Sequence, residues 1–357
     1  FVRSPSDDTA RMMLPRRRAS LFVLLAIGLA GAWAPIVEAQ QTTRQWVAPR
    51  TAAGHPNLQG NWSNATLSPV VRPAGVGPVL NPEQVRALEG GRAEFIEADL
   101  VDSDPNRGAP PVGGQLTGEA RWDAGAGAVG GYNQFYIDGG DHIAIYDGEA
   151  RSSLIVDPPD GRRPPRTESA RVAAEEERAY REVHRYDSYE NRTMTDRCLG
   201  TSLAGPPMRS GAYNNNVMIF QTRDHVVIQN EMASQARVIP LRDTAKPSFA
   251  QLKGVSRGHW DGETLVVETT QFRSDSGMTG PNMHLVERLT RLDSDTVAYE
   301  YTVTDPTVYT APYTVMMPLR RTDGPIFEYA CHEGNYGLYG ILAGARELER
   351  LGRDLRP

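Results

Sequence analysis

The densest chemistry in this chain falls in one run, Cys331-His332-Glu333-Gly334-Asn335-Tyr336. It brings an imidazole, a carboxylate, an amide and a phenol together where a strand is predicted to end. His332 can give or take a proton at neutral pH, and Glu333 can orient it or a water molecule. The same residues would also serve a structural turn whose polar groups satisfy backbone donors and cap the next helix. Glu287 is the second catalytic candidate, because it lies between Leu285 and Leu289 in an alternating run. If those leucines face inward, the carboxylate is buried with them and has general acid-base capacity. With the opposite phase Val286 turns inward and Glu287 faces water, or the buried carboxylate pairs with an Arg for structure alone.

Groups able to hold a ligand come next. Tyr213, Asn214 and Asn215 offer a phenol and amides just before a strand, although Asn runs are also ordinary turn residues. His225, Glu231 and Arg237 fall on two adjacent predicted strands and would meet if they faced one another across the hairpin; singly, each reads as a surface residue or one satisfied by its neighbours. Tyr299 and Tyr301, with Tyr313, Val315 and Met317, are the expected lining of an interior, and Tyr336 stands beside His332. Other chemistries fail on spacing. The chain has no His-Glu-x-x-His, no Cys-x-x-Cys and no close His pair, so no metal site is expected. No Gly-x-Ser-x-Gly elbow occurs, and Gly125 to Gly131 lacks the strand-to-helix setting of a phosphate cradle. No bound cofactor is expected.

The elements that must position these residues are mostly strands. From Gly258 to Leu319 the chain reads as strand, turn and strand with little interruption. The Asp261-Gly262 turn precedes the β-branched run Thr264 to Thr270, and Leu285 to Arg291 and Thr296 to Val303 alternate apolar with polar residues. Period two over that length means one buried and one wet face, hence an antiparallel sheet. Further strands are predicted at Gly60 to Val71, Tyr132 to Asp138, His142 to Tyr146, Ser153 to Val156, Val217 to Gln221, His225 to Glu231, Ala236 to Leu241, Tyr313 to Leu319 and Ile326 to Ala330. Such a meander hides its edges only by closing or by pairing with a second sheet. The expected fold is therefore mainly β, an antiparallel meander closed into a barrel or barrel-like sandwich of calycin-like kind, with a few peripheral helices. Gly60-Asn61-Trp62 fits this, since in lipocalin-like barrels Gly-x-Trp seats a Trp under the barrel end; a Trp filling an ordinary core has the same letters.

Helices are predicted from Asn81 to about Leu100, from Thr167 to Tyr186 as a charged surface helix, and from Tyr336 to Gly352, amphipathic and packed against the barrel. Three regions result: a signal peptide over 1–39, a loop-rich segment with short strands and two helices over 40–195, and a β-barrel domain with a C-terminal helix over 196–357.

The leader carries Arg11 and Arg16 to Arg18 ahead of an apolar core from Leu21 to Trp33, with Val37-Glu38-Ala39 as the cleavage region. Export to the periplasm or beyond is expected, with no membrane anchor after cleavage. Of 357 residues, 318 then remain, and removing a leader of net charge +2 from a chain of −6 leaves −8. An acidic surface argues against nucleic acid as partner; a small molecule is expected instead. Cys198 and Cys331, the only cysteines, either form a disulfide in that oxidising compartment or stay apart as buried thiols.

Asp157-Pro158-Pro159-Asp160-Gly161-Arg162, Gly205-Pro206-Pro207-Met208, Tyr213-Asn214-Asn215-Asn216 and Tyr329-Ala330-Cys331-His332-Glu333-Gly334-Asn335-Tyr336 resemble a large group of exported bacterial proteins. The resemblance covers most of the mature chain and implies common ancestry and export, with no settled activity to carry over. The functional expectation is a periplasmic, cofactor-independent lyase, hydratase or hydrolase acting by acid-base chemistry on a small, partly apolar or aromatic molecule. The alternative is a lipocalin-like binding protein for a small apolar ligand.

Overall fold

The structure, a computed structural model, describes residues 46–99, 137–200, 205–243, 245, 247–273 and 280–353. The expected signal peptide, the stretch 102–131 and the predicted strand start at Tyr132 lie outside the described residues.

The alternation read from the sequence sets the core. In β10 (His284–Arg291) Leu285, Glu287 and Leu289 are buried, and in β11 (Thr296–Thr304) Val297, Tyr299, Tyr301 and Val303 are buried. Full burial of one such aliphatic side chain contributes about 1.5–3 kcal/mol. A one-residue slip would expose the whole set, so the register is strongly specified. β9 (Thr264–Thr270) pairs with β10, and it turns back onto β8 (Val255–Asp261) through the two-residue loop Gly262-Glu263. Gly262 takes φ +58° there, as the Asp-Gly signal predicts.

Including β1 (Gly60–Ser63), β5 (Asn216–Gln221), β6 (His225–Asn230), β7 (Gln235–Pro240) and β12 (Tyr313–Arg321), nine strands run in the order β7-β6-β5-β1-β12-β11-β10-β9-β8. Each is antiparallel to its neighbour, and β4 (Ile155–Asp157) adds to the edge of β12 that β1 leaves uncovered. The sheet curls until β7 and β8 come within 8 Å of each other, Cα to Cα, without sharing a ladder. This nearly closed barrel is the mainly β fold the meander predicts. Two of its strands, β1 and β4, come from before residue 196, so the ring draws on both parts of the chain.

One end of the barrel is sealed by Trp62, fully buried, whose Nε1 donates to the Leu58 carbonyl at 2.9 Å. The guanidinium carbons of Arg291 and Arg321 stand 5.3 and 6.0 Å from its ring. The Gly-x-Trp signal thus marks a barrel-end Trp covered by cations.

At the seam the ring is joined by side chains. A Cβ at Gly258 of β8 would stand 2.9 Å from Ile239 Cγ2 and 3.0 Å from Leu241 Cδ2. Gly258→Ala is expected to cost about 1–3 kcal/mol by overpacking, seen as a lower urea midpoint at unchanged m value. A midpoint equal to wild type would show that these side chains do not close the seam.

Some expected elements differ. The strand at Gly60 stops at Ser63, and residues 66–71 instead lie along the 142–155 segment through bonds such as Leu154 N to Pro69 O at 2.8 Å. Ile145–Tyr146 forms β2, which pairs with β3 (Glu149–Ala150) around Asp147-Gly148 in left-handed backbone; most of the partner strand foreseen across Gly139-Gly140 lies outside the described residues. No strand forms at 326–330: Pro325 removes a donor, the chain leaves the barrel after β12, and Phe327 is 70% exposed.

The helices begin as predicted. At α1 (Pro82–Asp99) the Asn81 side chain accepts from Gln84 N and the Gln84 side chain from Asn81 N, both at 2.9 Å, a reciprocal cap. α2 (Glu168–His184) is capped by Thr167 and has no buried residue, in keeping with a surface helix. α3 (Tyr336–Arg350) buries only Ala345. Among the described residues its polar bonds run to the 186–196 segment, from Asn335 to Asp196 O and from Arg346 to Tyr186 O, and none runs to the barrel strands it was expected to cover. Among the described residues no helix is long and apolar enough to cross a membrane.

Candidate functional site

Three residues that the sequence reading placed in separate roles meet inside the barrel. Glu287 on β10 is fully buried; Arg237 Nη1 and Nη2 reach its two oxygens from β7, at 2.5 and 2.9 Å. Tyr299 Oη on β11 donates to Glu287 Oε1 at 2.6 Å and itself accepts from Met208 N at 3.0 Å. A bidentate guanidinium and a phenol satisfy the buried carboxylate with three hydrogen bonds. Burial, then the Glu287 charge, pushes the Tyr299 phenol well above its ordinary value, so it stays protonated. Burial pulls the Arg237 guanidinium down, but the charge and hydrogen bonds of Glu287 hold it above its usual value. The inward phase of β10 is therefore correct. Tyr301 packs beside Tyr299 with ring centroids 5.7 Å apart, and burial raises its phenol too.

The expected ligand lining is packed solid. Tyr299, Tyr301, Tyr313, Val315 and Met317 are each at most 3% exposed and belong to one continuous core. Open space lies instead at the seam, a cleft of about 660 Å³ between β7 and the segment leading into β8. Arg237 joins the two places: its head group is bonded to Glu287 and it also lines the cleft.

Lys253, two residues before β8, lines the same cleft. Burial, and then repulsion from the Arg237 charge, push its amine down from 10.5 to about 8. Gly200 makes room for it: with φ +132°, a Cβ there would meet Gln235 Nε2 at 2.6 Å and Lys253 Nζ at 3.0 Å. That wall is fixed by the disulfide Cys198–Cys331, with Cα atoms 5.7 Å apart, which resolves the two options left by the sequence.

The other predicted site residues fall elsewhere. His332, Glu333 and Tyr336 are exposed, Tyr336 at 82%, and the described residues show no hydrogen bond or ion pair from their side chains to Glu287. Without the strand at 326–330 their turn has no barrel rim to stand on. Asn335 uses its side chain as the helix cap, accepting from Leu338 N at 3.2 Å. His225, Glu231 and Arg237 do not face one another. His225 is at one end of β6 and Glu231 just past the other, about 20 Å along an extended strand. Glu231 accepts from Asn216 Nδ2 at 2.7 Å, while Arg237 is turned to Glu287. Asn214 adopts left-handed backbone, φ 56°, and the buried Asn215 amide is spent on Gly211 N and O at 2.8 and 2.9 Å. That segment is a stapled turn, with Tyr213 partly buried beside it.

Lys253 and Arg257 were missed by the sequence reading, although one signal pointed to the former. Of 38 basic residues all but two are arginine, and Lys253 is one of the two. Arginine cannot lose its proton in this pH range, whereas a lysine can.

No protein-family model matches this chain, and no curated protein matches it either.

Proposed function

We propose that this is an exported enzyme that holds a small, partly apolar molecule in the seam cleft and acts on it by proton transfer, with Lys253 giving and taking the proton. The observation that carries this reading is an amine whose pKa is brought down to about 8 by burial and Arg237, inside the cleft, in a chain that has only two lysines among its 38 basic residues. A base is most effective when its pKa lies close to the working pH. The Glu287–Arg237–Tyr299 cluster supports it by positioning: it fixes the cation that depresses Lys253. Lyase, hydratase and hydrolase chemistry all use such a group.

The charge state can be tested without knowing the substrate. The folded pKa of Lys253, about 8, is below its unfolded value of 10.5, so between these pH values the unfolded chain binds more protons. Stability from this residue therefore rises with pH across that window and is at its lowest below it. Lys253→Met is expected to be more stable than wild type at pH 7, by on the order of 2–3 kcal/mol in urea melts, with the lead shrinking from pH 8 toward 10.5. Deuterium uptake from D2O into a set of small ketones, esters and acids, followed by NMR, should be catalysed by wild type and lost in the variant. A stability difference that does not change with pH, or unchanged uptake in Lys253→Met, overturns the assignment. Binding without any turnover would instead indicate a carrier.

A further inference from the structure

The two strand edges that bound the seam differ in how their backbone is covered. β6 is shared between its neighbours: Thr222 N donates to His225 O at 2.9 Å on the β5 side, and Leu241 N donates to Asp224 O at 2.8 Å on the β7 side. With Ile228 opposite Arg237, this phase gives the β6 ladder to Gln235, Arg237 and Ile239. The N–H and C=O groups of Ala236 and Val238 therefore point the other way, into the seam cleft that both residues line. Pro240, next in that phase, has no N–H to offer and ends the usable edge.

β8 and the segment before it present a covered edge to the same cleft. Arg257 Nη1 donates to Ser256 O at 2.9 Å and its Nη2 to Ala245 O at 3.0 Å, while Gly254 N donates to Gln251 O at 3.0 Å. Sheet edges are commonly blunted in such ways, because an open row of backbone donors and acceptors is a template for another extended chain. Among the described residues no strand or side chain covers Ala236 and Val238 in this manner, and β7 is the last strand of its path. Direction fits as well. Each step along the path reverses the strand, so β7 and β8 run the same way, and a segment opposed to β7 would continue the alternation on both sides.

We infer that the seam cleft takes a short extended peptide, which adds to β7 as one more antiparallel strand through the backbone of Ala236 and Val238. This deepens the proposed function by naming a substrate class, and it rests on that reading for the chemistry. Backbone hydrogen bonds supply affinity in strand addition, and alternate side chains supply specificity. The peptide residue beside Val238 carries an apolar side chain, because Val238 stands 58% exposed there and Pro247 and Leu252 also line the cleft. The cleft volume of about 660 Å³ falls within the usual range of small-molecule sites. A peptide of three residues extends about 10 Å, enough to pair with both open residues of β7.

The test uses blocked pentapeptides, acetyl-Ser-X-Thr-X-Ser-amide with X as Val, Leu or Phe, on the full chain. In amide hydrogen exchange followed by NMR, Ala236 and Val238 are expected to exchange faster than Arg237 and Ile239 in the free protein. Saturating peptide should slow those two amides by at least about tenfold. Two singly N-methylated forms of the tightest peptide, methylated at adjacent residues, aim the lost N–H to opposite sides of the extended chain. One should bind on the order of tenfold more weakly and the other like its parent. Val238→Pro removes an N–H turned to the seam and leaves the β6 ladder in place, so it should weaken binding to a similar degree; if it does not fold, the methylated pair decides alone. Three outcomes overturn the inference: no peptide binds, both methylated forms bind alike, or Ala236 and Val238 exchange as before. Protection of these amides that grows with protein concentration alone also overturns it, since a second copy then holds the edge.

The two readings fail separately. If peptide protects Val238 while Lys253 titrates at the ordinary 10.5, the ligand class stands and the proton-transfer role falls. If Lys253 titrates near 8 and no peptide binds, the reverse holds.

Discussion

Glu287→Ala is expected to destabilise the folded protein by about 3–5 kcal/mol, because it leaves the Arg237 guanidinium without its counter-charge in a largely buried site. It also removes the acceptor of the Tyr299 hydroxyl, which itself accepts from Met208 N. Equilibrium urea unfolding gives the number directly, with the m value as a check that the denatured state is unchanged. The companion variant matters as much. Arg237→Met with Glu287→Leu removes both charges at similar volume, and a buried pair replaced by apolar residues costs far less than one partner left alone. The double variant should therefore sit above Glu287→Ala in stability. If the single change costs less than about 1 kcal/mol, water in the cleft is solvating Arg237 and the cluster is not a sealed unit.

Removing the disulfide should have an effect of similar size by a different route. Cys198 and Cys331 are 133 residues apart, so the bridge denies the unfolded chain a very large loop. Cys198→Ser with Cys331→Ser is expected to cost about 4–5 kcal/mol by the loop-entropy argument, measured as a urea transition beside untreated wild type. Structure on the folded side changes as well. Gly200, two residues from Cys198, walls the Lys253 amine, and Asn335 Nδ2 approaches Cys198 Sγ at 3.4 Å while capping α3. Freed from its tether, this wall should let water reach Lys253 and bring its titration back toward 10.5. A double variant with wild-type stability and an unmoved Lys253 would show that the bridge neither constrains the unfolded chain nor shapes the cleft.

What could be read from the sequence divides along the range of the interactions. Alternation is local, and it placed Leu285, Glu287, Tyr299 and Tyr301 on the inner face and gave the antiparallel meander. Gly60-Asn61-Trp62 fixed one barrel end because the packing of a Trp under cations has a short signature. The meeting of Arg237 with Glu287 was not legible, since β7 and β10 lie fifty residues apart and come together only when the sheet curls. Nor was the seam: Lys253 sits in a stretch before β8 with no period to place it. His332 and Glu333 drew attention for a reason that also explains their exposure. A polar run at a strand end and a polar run at a helix start look alike, and here Asn335 spends that polarity on capping α3. Asn214 and Asn215 show the same ambiguity, settled by a left-handed turn and a stapled loop.

Around the ring every neighbouring pair of strands is held by a ladder of backbone bonds except one, where Ile239 and Leu241 simply lean across Gly258. Parting β7 from β8 would break no such ladder among the described residues. The seam is therefore where the ring is expected to give most readily, along the wall that carries the amine.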